Sequence, residues 1–572
     1  MWLWKVVFLT ALIQHLTVRN VTDTVQKEET MKKRLTRLTA LFGAMMLTAS
    51  MLAGCGSTEK ATVSSTNESV QAETVQASVA QQPAVDTLET KSPKYIFLFI
   101  GDGMSYPQIQ LTNYYLSALA DANNNDILES KSNLTMMDFP VAGSAQTYDS
   151  TSFCPDSAST ATSISTGYKT YSGTINMDET GSVAYETISE KLKKQKGYEI
   201  GIISSVNLNH ATPAAFYCHQ VSRNNYYEIG LELIASDFDY FAGGGLKKTT
   251  GNDKDKENLY DLAEKAGYQV VKTQAEAEAV PADVEKVIII DENLADSDAM
   301  SYDMDLPEGA WKLADYVRKG IEVMEDSENG FFLMCEGGKI DWACHANDAA
   351  ATLTDTIAMD EAVQTAVDFY NQHPDETLIL VTGDHETGGL TIGYAGTDYD
   401  TFLTNIENQK ISYAKFDSDY VAGYKENKTD FDTVMQNVTE LFGLEAPATA
   451  GSDKTAQKDS ADLHPESEDT GSLVMTDYEY ELLKAAYDTT MNRTGEESEF
   501  SQKEYVMYGS YEPLTVTITH ILNNKSGINF ASYAHTGLPV EVFAKGVGQE
   551  QFEGFYDNTD IYDKLAALTG VE

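Results

Sequence analysis

The sequence predicts an α/β fold built on a doubly wound, mostly parallel central sheet flanked by helices, and three observations predict it. Short apolar runs recur along the chain, at Tyr95–Ile100, Ile200–Ile203, Phe331–Met334 and Thr377–Val381. Runs of this length, apolar on both alternating faces, mark strands buried on both sides of a parallel sheet. Helical patterns alternate with them, as the crossovers between parallel strands require. The third observation is where the polar residues fall: each run leads into groups that carry chemistry, and open α/β sheets bind ligands beyond the carboxyl ends of their strands.

Taken in order, the first run closes on Gly101-Asp102-Gly103 and the second leads to His210. The third ends at Glu336, and the fourth passes into Thr382-Gly383-Asp384-His385. From 392 to 511 the alternation loosens, and the segment reads as an insertion. Tyr478–Ala486 is amphipathic and helical within it, whereas Ala446–Gly471 is an acidic, small-residue linker. The sheet resumes in 512–572, where Pro539–Ala544 makes a last strand just after His535. Residues 93–391 and 512–572 are therefore expected to form one catalytic domain around the insertion. No internal repeat is evident.

The amino terminus carries addresses rather than fold. Residues 31–55 place Lys32, Lys33, Arg34 and Arg37 before an apolar stretch that ends in Leu52-Ala53-Gly54-Cys55. The stretch is shorter than the roughly 18 residues of a membrane span. It is similar to a bacterial lipoprotein signal, which implies export, a lipid on Cys55, and anchoring at the outer face of the cell membrane or facing the periplasm. Residues 1–30 precede this complete signal and are read as an over-extended start. Residues 56–92, rich in Ser, Thr, Ala, Gln and Val, read as a flexible tether.

Among 572 residues the formal net charge is -48. A nucleic-acid partner is excluded, because a polyanion would be repelled. An enzyme for anionic esters built from this chain must concentrate positive charge locally, and bound metal cations are the economical source. Beyond Cys55 the cysteines are Cys154, Cys218, Cys335 and Cys344, whose pairing or freedom the spacing leaves open.

Several short patterns carry possible chemistry. Asp341 and His345, four apart, share one helical face and could reach one ion, or form a solvated surface pair. Asp384-His385 gains weight from its place after a strand. In Pro155-Asp156-Ser157-Ala158, Asp156 could simply cap a helix. Alternatively Ser157 sits at a helix amino terminus, where backbone N–H groups and the dipole favour phosphate. No Ser-His-Asp triad accompanies it, so a metal would have to favour its alkoxide. The run Asp121–Asp126 lacks the spaced Gly and Glu of a calcium loop and reads as polar loop. Of the remaining histidines, His373 ends a helix and His464 sits in the acidic linker. His219 could orient Arg223 or simply pack, and His520 is a weaker ligand candidate than His535.

Together these motifs resemble the alkaline phosphatase family. The ordered set is Ile100–Met104, Pro155–Ala158, His210–Ala214, Arg223, Glu336–His345, Thr382–His385 and Ala534–Gly537. The resemblance implies hydrolysis of small-molecule phosphate monoesters through a phosphoserine on Ser157, two Zn2+ ions, one Mg2+ ion and a homodimer. Position by position, it implies a first zinc at Asp341, His345 and His535, and a second at Asp102, Asp384 and His385. Asp102 would bridge to the magnesium, held with Thr212 and Glu336, and Arg223 would fork onto phosphate oxygens. Two positions depart from the best-known bacterial pattern. His210 stands where Asp is often found, so the third site could accept zinc. Trp342, beside the substrate, stands where a Lys often follows the zinc-ligand Asp, which removes a cation near the phosphate. A sulfatase is rejected because Cys154 is followed by Pro155 and position 158 is Ala. A phosphodiesterase of the same superfamily and a non-catalytic phosphate-binding lipoprotein are the alternatives.

Overall fold

A computed structural model describes residues 92–120, 129–448, 471–493 and 500–572. The signal with Cys55, nearly all of the tether, the run Asp121–Asp126 and most of the acidic linker with His464 lie outside them.

The apolar runs are strands of one sheet. Its members in chain order begin with β1 (Tyr95–Gly101), β2 (Val141–Gln146), β3 (Glu199–Ser204) and β4 (Tyr240–Gly243). Next come β5 (Gln269–Val271), β6 (Val287–Ile290), β7 (Phe331–Glu336) and β8 (Thr377–Gly383). Four short strands, β9 (Glu386–Thr387), β10 (Leu390–Ile392), β11 (Ile528–Phe530) and β12 (His535–Thr536), pair outside it. The sheet closes with β13 (Val540–Gly546) and β14 (Gly554–Asp557). The ten-stranded order is β14-β2-β13-β8-β1-β7-β3-β4-β6-β5, and β13 alone runs against its neighbours.

Burial on both faces explains the apolar runs. In β1, Ile96, Leu98 and Ile100 enter one core and Tyr95, Phe97 and Phe99 the other. The central strands share a common end: Ile100 lies beside Glu336 on one side and Thr382 on the other. Asp102, Glu336 and Asp384 therefore emerge together at the carboxyl edge, where the sheet's own geometry puts its ligand crevice. Because β13 is antiparallel, the chain entering it comes from that same edge, and His535 arrives there too.

The segment after β10 forms a third core of its own. Phe416, Val434, Phe442 and Leu483 pack there with Leu514 and Ile518 of the helix Pro513–Lys525. The amphipathic stretch lies within the helix Asp477–Asn492, opened by a Thr476–Glu479 capping box. Among the described residues no helix is long and apolar enough to cross a membrane.

Candidate metal centre and catalytic cleft

Ser157 is the first residue of the helix Ser157–Thr166, and Asp156 is its N-cap, accepting from the Ser159 N–H at 3.1 Å. The capping reading and the anion-site reading are thus both realised in one turn. The Ser157 side chain is buried. Its Oγ lies 3.1 Å from His385 Nε2 and 3.4 Å from Asp102 Oδ1.

Around it the predicted ligands converge. Asp341 and His345 lie on one short helix, Lys339–His345, with Asp341 Oδ1 at 3.4 Å from His345 Nε2 and 3.6 Å from His535 Nε2. The two imidazole Nε2 atoms are 3.0 Å apart. Asp102 Oδ1 and Asp384 Oδ2 stand 3.3 and 3.4 Å from His385 Nε2. The third group is Asp102, His210 and Glu336, and Thr212 Oγ1 donates to Asp102 Oδ2 at 3.2 Å. Asp102 is shared between the last two groups.

The backbone is built to allow this crowding. Gly103 has φ +70°, and a Cβ there would meet Asp341 Oδ1 at 2.8 Å, so a side chain would break into the cluster. Its N–H donates to Asp384 Oδ1 at 3.2 Å. The β9–β12 pairing sets His535 opposite Thr387, which draws the His535 ring to 3.7 Å from that of His385.

Electrostatically the cluster asks for cations. Burial, then the neighbouring carboxylates, pushes Asp102 well above the ordinary range. Asp384 is pushed up to about 8, by burial first and Asp341 next. Burial raises Glu336 to about 7 against the hydrogen bond from Ser204. Burial would also raise Asp341, but His345, His535 and His385 together hold it low. Burial, with Arg223 assisting, takes His210 down to about 3, and burial also depresses His385 well below its ordinary value. Imidazoles whose protonation burial disfavours, at His210, His385 and His535, beside crowded carboxylates are a donor set for divalent metal rather than a hydrogen-bond network. Two atoms make the fit specific: His210 Nδ1 and Glu336 Oε1 are buried with no hydrogen-bond partner among the described residues.

The sequence matches the family described as alkaline phosphatase over residues 93–571, nearly the whole span after the tether. The chain belongs to the alkaline phosphatase family. It is 28% identical over 481 residues to alkaline phosphatase 4 of Bacillus subtilis (strain 168), covering 81% of this chain and 86% of that one. Alkaline phosphatase 3 of the same organism is 29% identical over 481 residues, covering 82% and 87%. Among solved structures, the cold-active alkaline phosphatase of a psychrophilic Shewanella species matches with a TM-score of 0.64 at 26% identity, covering 83% of this chain and 99% of that one. The protein is accordingly a metal-dependent hydrolase of phosphate monoesters, with the mostly parallel sheet of its family.

Within this alkaline phosphatase, Arg223 reaches the cleft but points first at protein groups. Its Nη1 pairs with Asp156 Oδ2 at 2.9 Å and its Nη2 lies 3.0 Å from His210 Nε2. Trp342 stands edge-on to His210, with ring centroids 6.0 Å apart, and the Lys339 ammonium lies 4.8 Å from the Trp342 ring. His219 does not orient Arg223. It sits between Glu190 and Glu232, at 3.4 and 3.7 Å, which against the opposing effect of burial raise it to about 10. His520 lies away from the ligands, 2.9 Å from Asn347 Oδ1, and His373 packs on Phe369. All four described cysteines are free; Cys154 is exposed and Cys218, Cys335 and Cys344 are buried.

Sequence reasoning missed the groups that hold the ligands in place. Thr387 Oγ1 donates to Asp341 Oδ1 at 2.5 Å, and Thr160 Oγ1 to Asp384 Oδ2 at 3.0 Å. Backbone carbonyls of Tyr533 and Pro155 accept from the Nδ1 atoms of His345 and His535, at 2.7 and 2.5 Å, with Nε2 left toward the cluster. Only Thr160, one turn after Ser157 on the same helix, had a readable signal. Carbonyl partners leave none.

Proposed function

We propose that Ser157 is the nucleophile of this phosphomonoesterase, and that Asp341, His345 and His535, together with Asp102, Asp384 and His385, are the ligands of two zinc ions. A magnesium site at Asp102, Thr212, Glu336 and His210 completes the set, able to accept zinc through the imidazole. One observation carries the reading: the Ser157 hydroxyl lies 3.1 Å from His385 and 3.4 Å from Asp102, both members of the donor sets, at the amino terminus of a helix.

Bound there, divalent cations neutralise charge on the phosphoryl oxygens and acidify hydroxyl groups and water. The chain's own groups do the rest. The backbone N–H groups at the start of the Ser157 helix and the Arg223 guanidinium bind the phosphoryl oxygens. Asp156 steadies that guanidinium, while Asp102 and His385 hold the serine Oγ toward the cleft. Attack by Oγ forms the P–Oγ bond as the ester P–O bond breaks, and the alcohol leaves with the ester oxygen. Water then breaks the P–Oγ bond, releasing inorganic phosphate and restoring the hydroxyl. A loose phosphoryl-transfer transition state makes such positioning the main demand on the protein.

The test is burst labelling with a phosphate ester. Ser157→Ala should abolish the covalent phosphate, and chelation should remove turnover reversibly; full activity after exhaustive chelation would overturn the reading. The sequence also supports export with a lipid on Cys55 and, by family resemblance, a homodimer. Mass spectrometry of the mature chain checks the first, since a peptide from before Cys55 would contradict it, and sedimentation checks the second.

A further inference from the structure

The cleft above Ser157 is larger than a phosphoryl group requires. It encloses about 540 Å³, within the range of pockets that hold a whole small molecule. Beside the metal-site groups, one part of its wall is aromatic: Trp342, Tyr413, Tyr511 and Tyr533 line it together with Ser157. Tyr413 and Tyr511 come from the 392–511 insertion, and the rings form a series. Tyr413 and Tyr511 meet edge to face with centroids 5.8 Å apart, and Tyr511 lies 6.2 Å from Tyr533.

Two of the hydroxyls are committed elsewhere. Tyr533 donates to the Met507 carbonyl at 2.5 Å, and Tyr413 accepts from Tyr302 at 3.1 Å. What these tyrosines offer the cleft is therefore ring surface. An aliphatic wall would serve an alkyl chain; linked aromatic rings favour a flat π-system, with which they pack in offset or edge-on geometry. The same wall carries Asp296 and Ser297; Asp296 is already paired through Oδ1 with Lys339 Nζ at 3.0 Å, so the polar part of the wall adds less than the rings.

We infer that the insertion gives this enzyme a binding subsite for the alcohol portion of nucleoside 5′-monophosphates, the base packing among the rings of Tyr413, Tyr511 and Tyr533, face-on to one and edge-on to another. The inference rests on the phosphomonoesterase reading and names its substrate class. Base–aromatic stacking is commonly strong enough to change affinity by roughly tenfold or more. The base keeps the same contacts in the bound ester and in the transition state, and such uniform binding acts on KM rather than kcat.

Adenosine 5′-monophosphate and ribose 5-phosphate share a primary 5′-oxygen as leaving group and differ in the base. With zinc and magnesium supplied, kcat/KM for the nucleotide should exceed that for the sugar phosphate by about tenfold or more, mostly through a lower KM. Tyr511→Leu and Tyr413→Leu, which keep apolar bulk and remove the flat face, should bring the ratio toward one. Both esters are measured on one preparation, so partial loss of folded enzyme cancels from the ratio, and the wild-type preference needs no variant. A wild-type ratio near one, or a ratio that neither substitution moves, overturns the inference while leaving the hydrolase intact. Failure to turn over either ester would instead sink the phosphomonoesterase reading itself.

Discussion

At the scale of single residues, the guanidinium of Arg223 is the clearest case of geometry that a like charge cannot replace. It lies half-buried against Asp156 and, despite the desolvation that opposes it, that carboxylate holds its pKa above the ordinary value. A lysine keeps the charge but loses the fork, and hydrogen bonds to charged groups contribute about 1.5–3 kcal/mol. Arg223→Lys should therefore raise KM for an aryl phosphate by roughly 10–100-fold, read from steady-state kinetics, with burst labelling of Ser157 retained at saturating ester. Trp342 makes the opposite case. The nearest lysine, Lys339, is fully buried, pairs with Asp296 at 3.0 Å and lies under the tryptophan ring, so its charge is spent on the protein. Trp342→Lys places a cation on the cleft wall and should tighten competitive inhibition by inorganic phosphate, by up to about fivefold, since one exposed-to-partly-buried ion pair contributes at most about 1 kcal/mol. Unchanged inhibition would reject the idea that this position eases product release.

Elements explain why so much was legible and why some was not. The strands β1, β7 and β8 could be read because burial on both faces leaves an uninterrupted apolar run, and their carboxyl ends put Asp102, Glu336 and Asp384 side by side by topology alone. The helix carrying Asp341 and His345 could be read from spacing. His535 was different: in sequence it is one histidine before a glycine-containing turn, and only the resemblance selected it over His520. Its position is set by β12 pairing with β9, two residues against two, a contact across about 150 positions that no local pattern encodes. Tyr413 and Tyr511 were equally silent, since an aromatic residue in an insertion looks the same whether it fills a core or faces a cleft. The supporting hydroxyls follow this rule as well. Thr387 lies in β9 and holds Asp341 from outside the ligand set, and outer partners of this kind typically change metal affinity by 10–100-fold. Thr387→Val keeps the shape of the strand residue and removes the donor. Zinc affinity in a chelator competition should fall by about that factor, with far-ultraviolet circular dichroism unchanged; equal affinity would show that Asp341 needs no such support.

For the whole molecule, charge sets the terms. A chain of net charge -48 gathers several carboxylates into one buried site, so metal removal should be felt as instability and not only as lost turnover. Exhaustive chelation should lower the unfolding midpoint, with zinc and magnesium restoring it, because ions that bind the folded state stabilise it by mass action. Another buried carboxylate, outside the ligand set, answers to pH. Glu541 is in β13, fully buried, and neither of its oxygens has a partner among the described residues. Burial raises its carboxyl to about 8 from an ordinary value of 4.5. The folded state therefore holds a proton that the unfolded chain has already released, and this group's contribution to stability falls as pH climbs from about 4.5 to about 8, staying at its lowest above that. Glu541→Gln keeps the shape and cannot ionise. Its unfolding midpoint should exceed that of the wild type by a few degrees at pH 9 and match it near pH 5, and comparing the two proteins cancels the general repulsion that their shared charge adds at high pH. A difference in midpoint that stays constant from acid to alkali would mean that ionisation of this glutamate does not govern the alkaline limit of the fold.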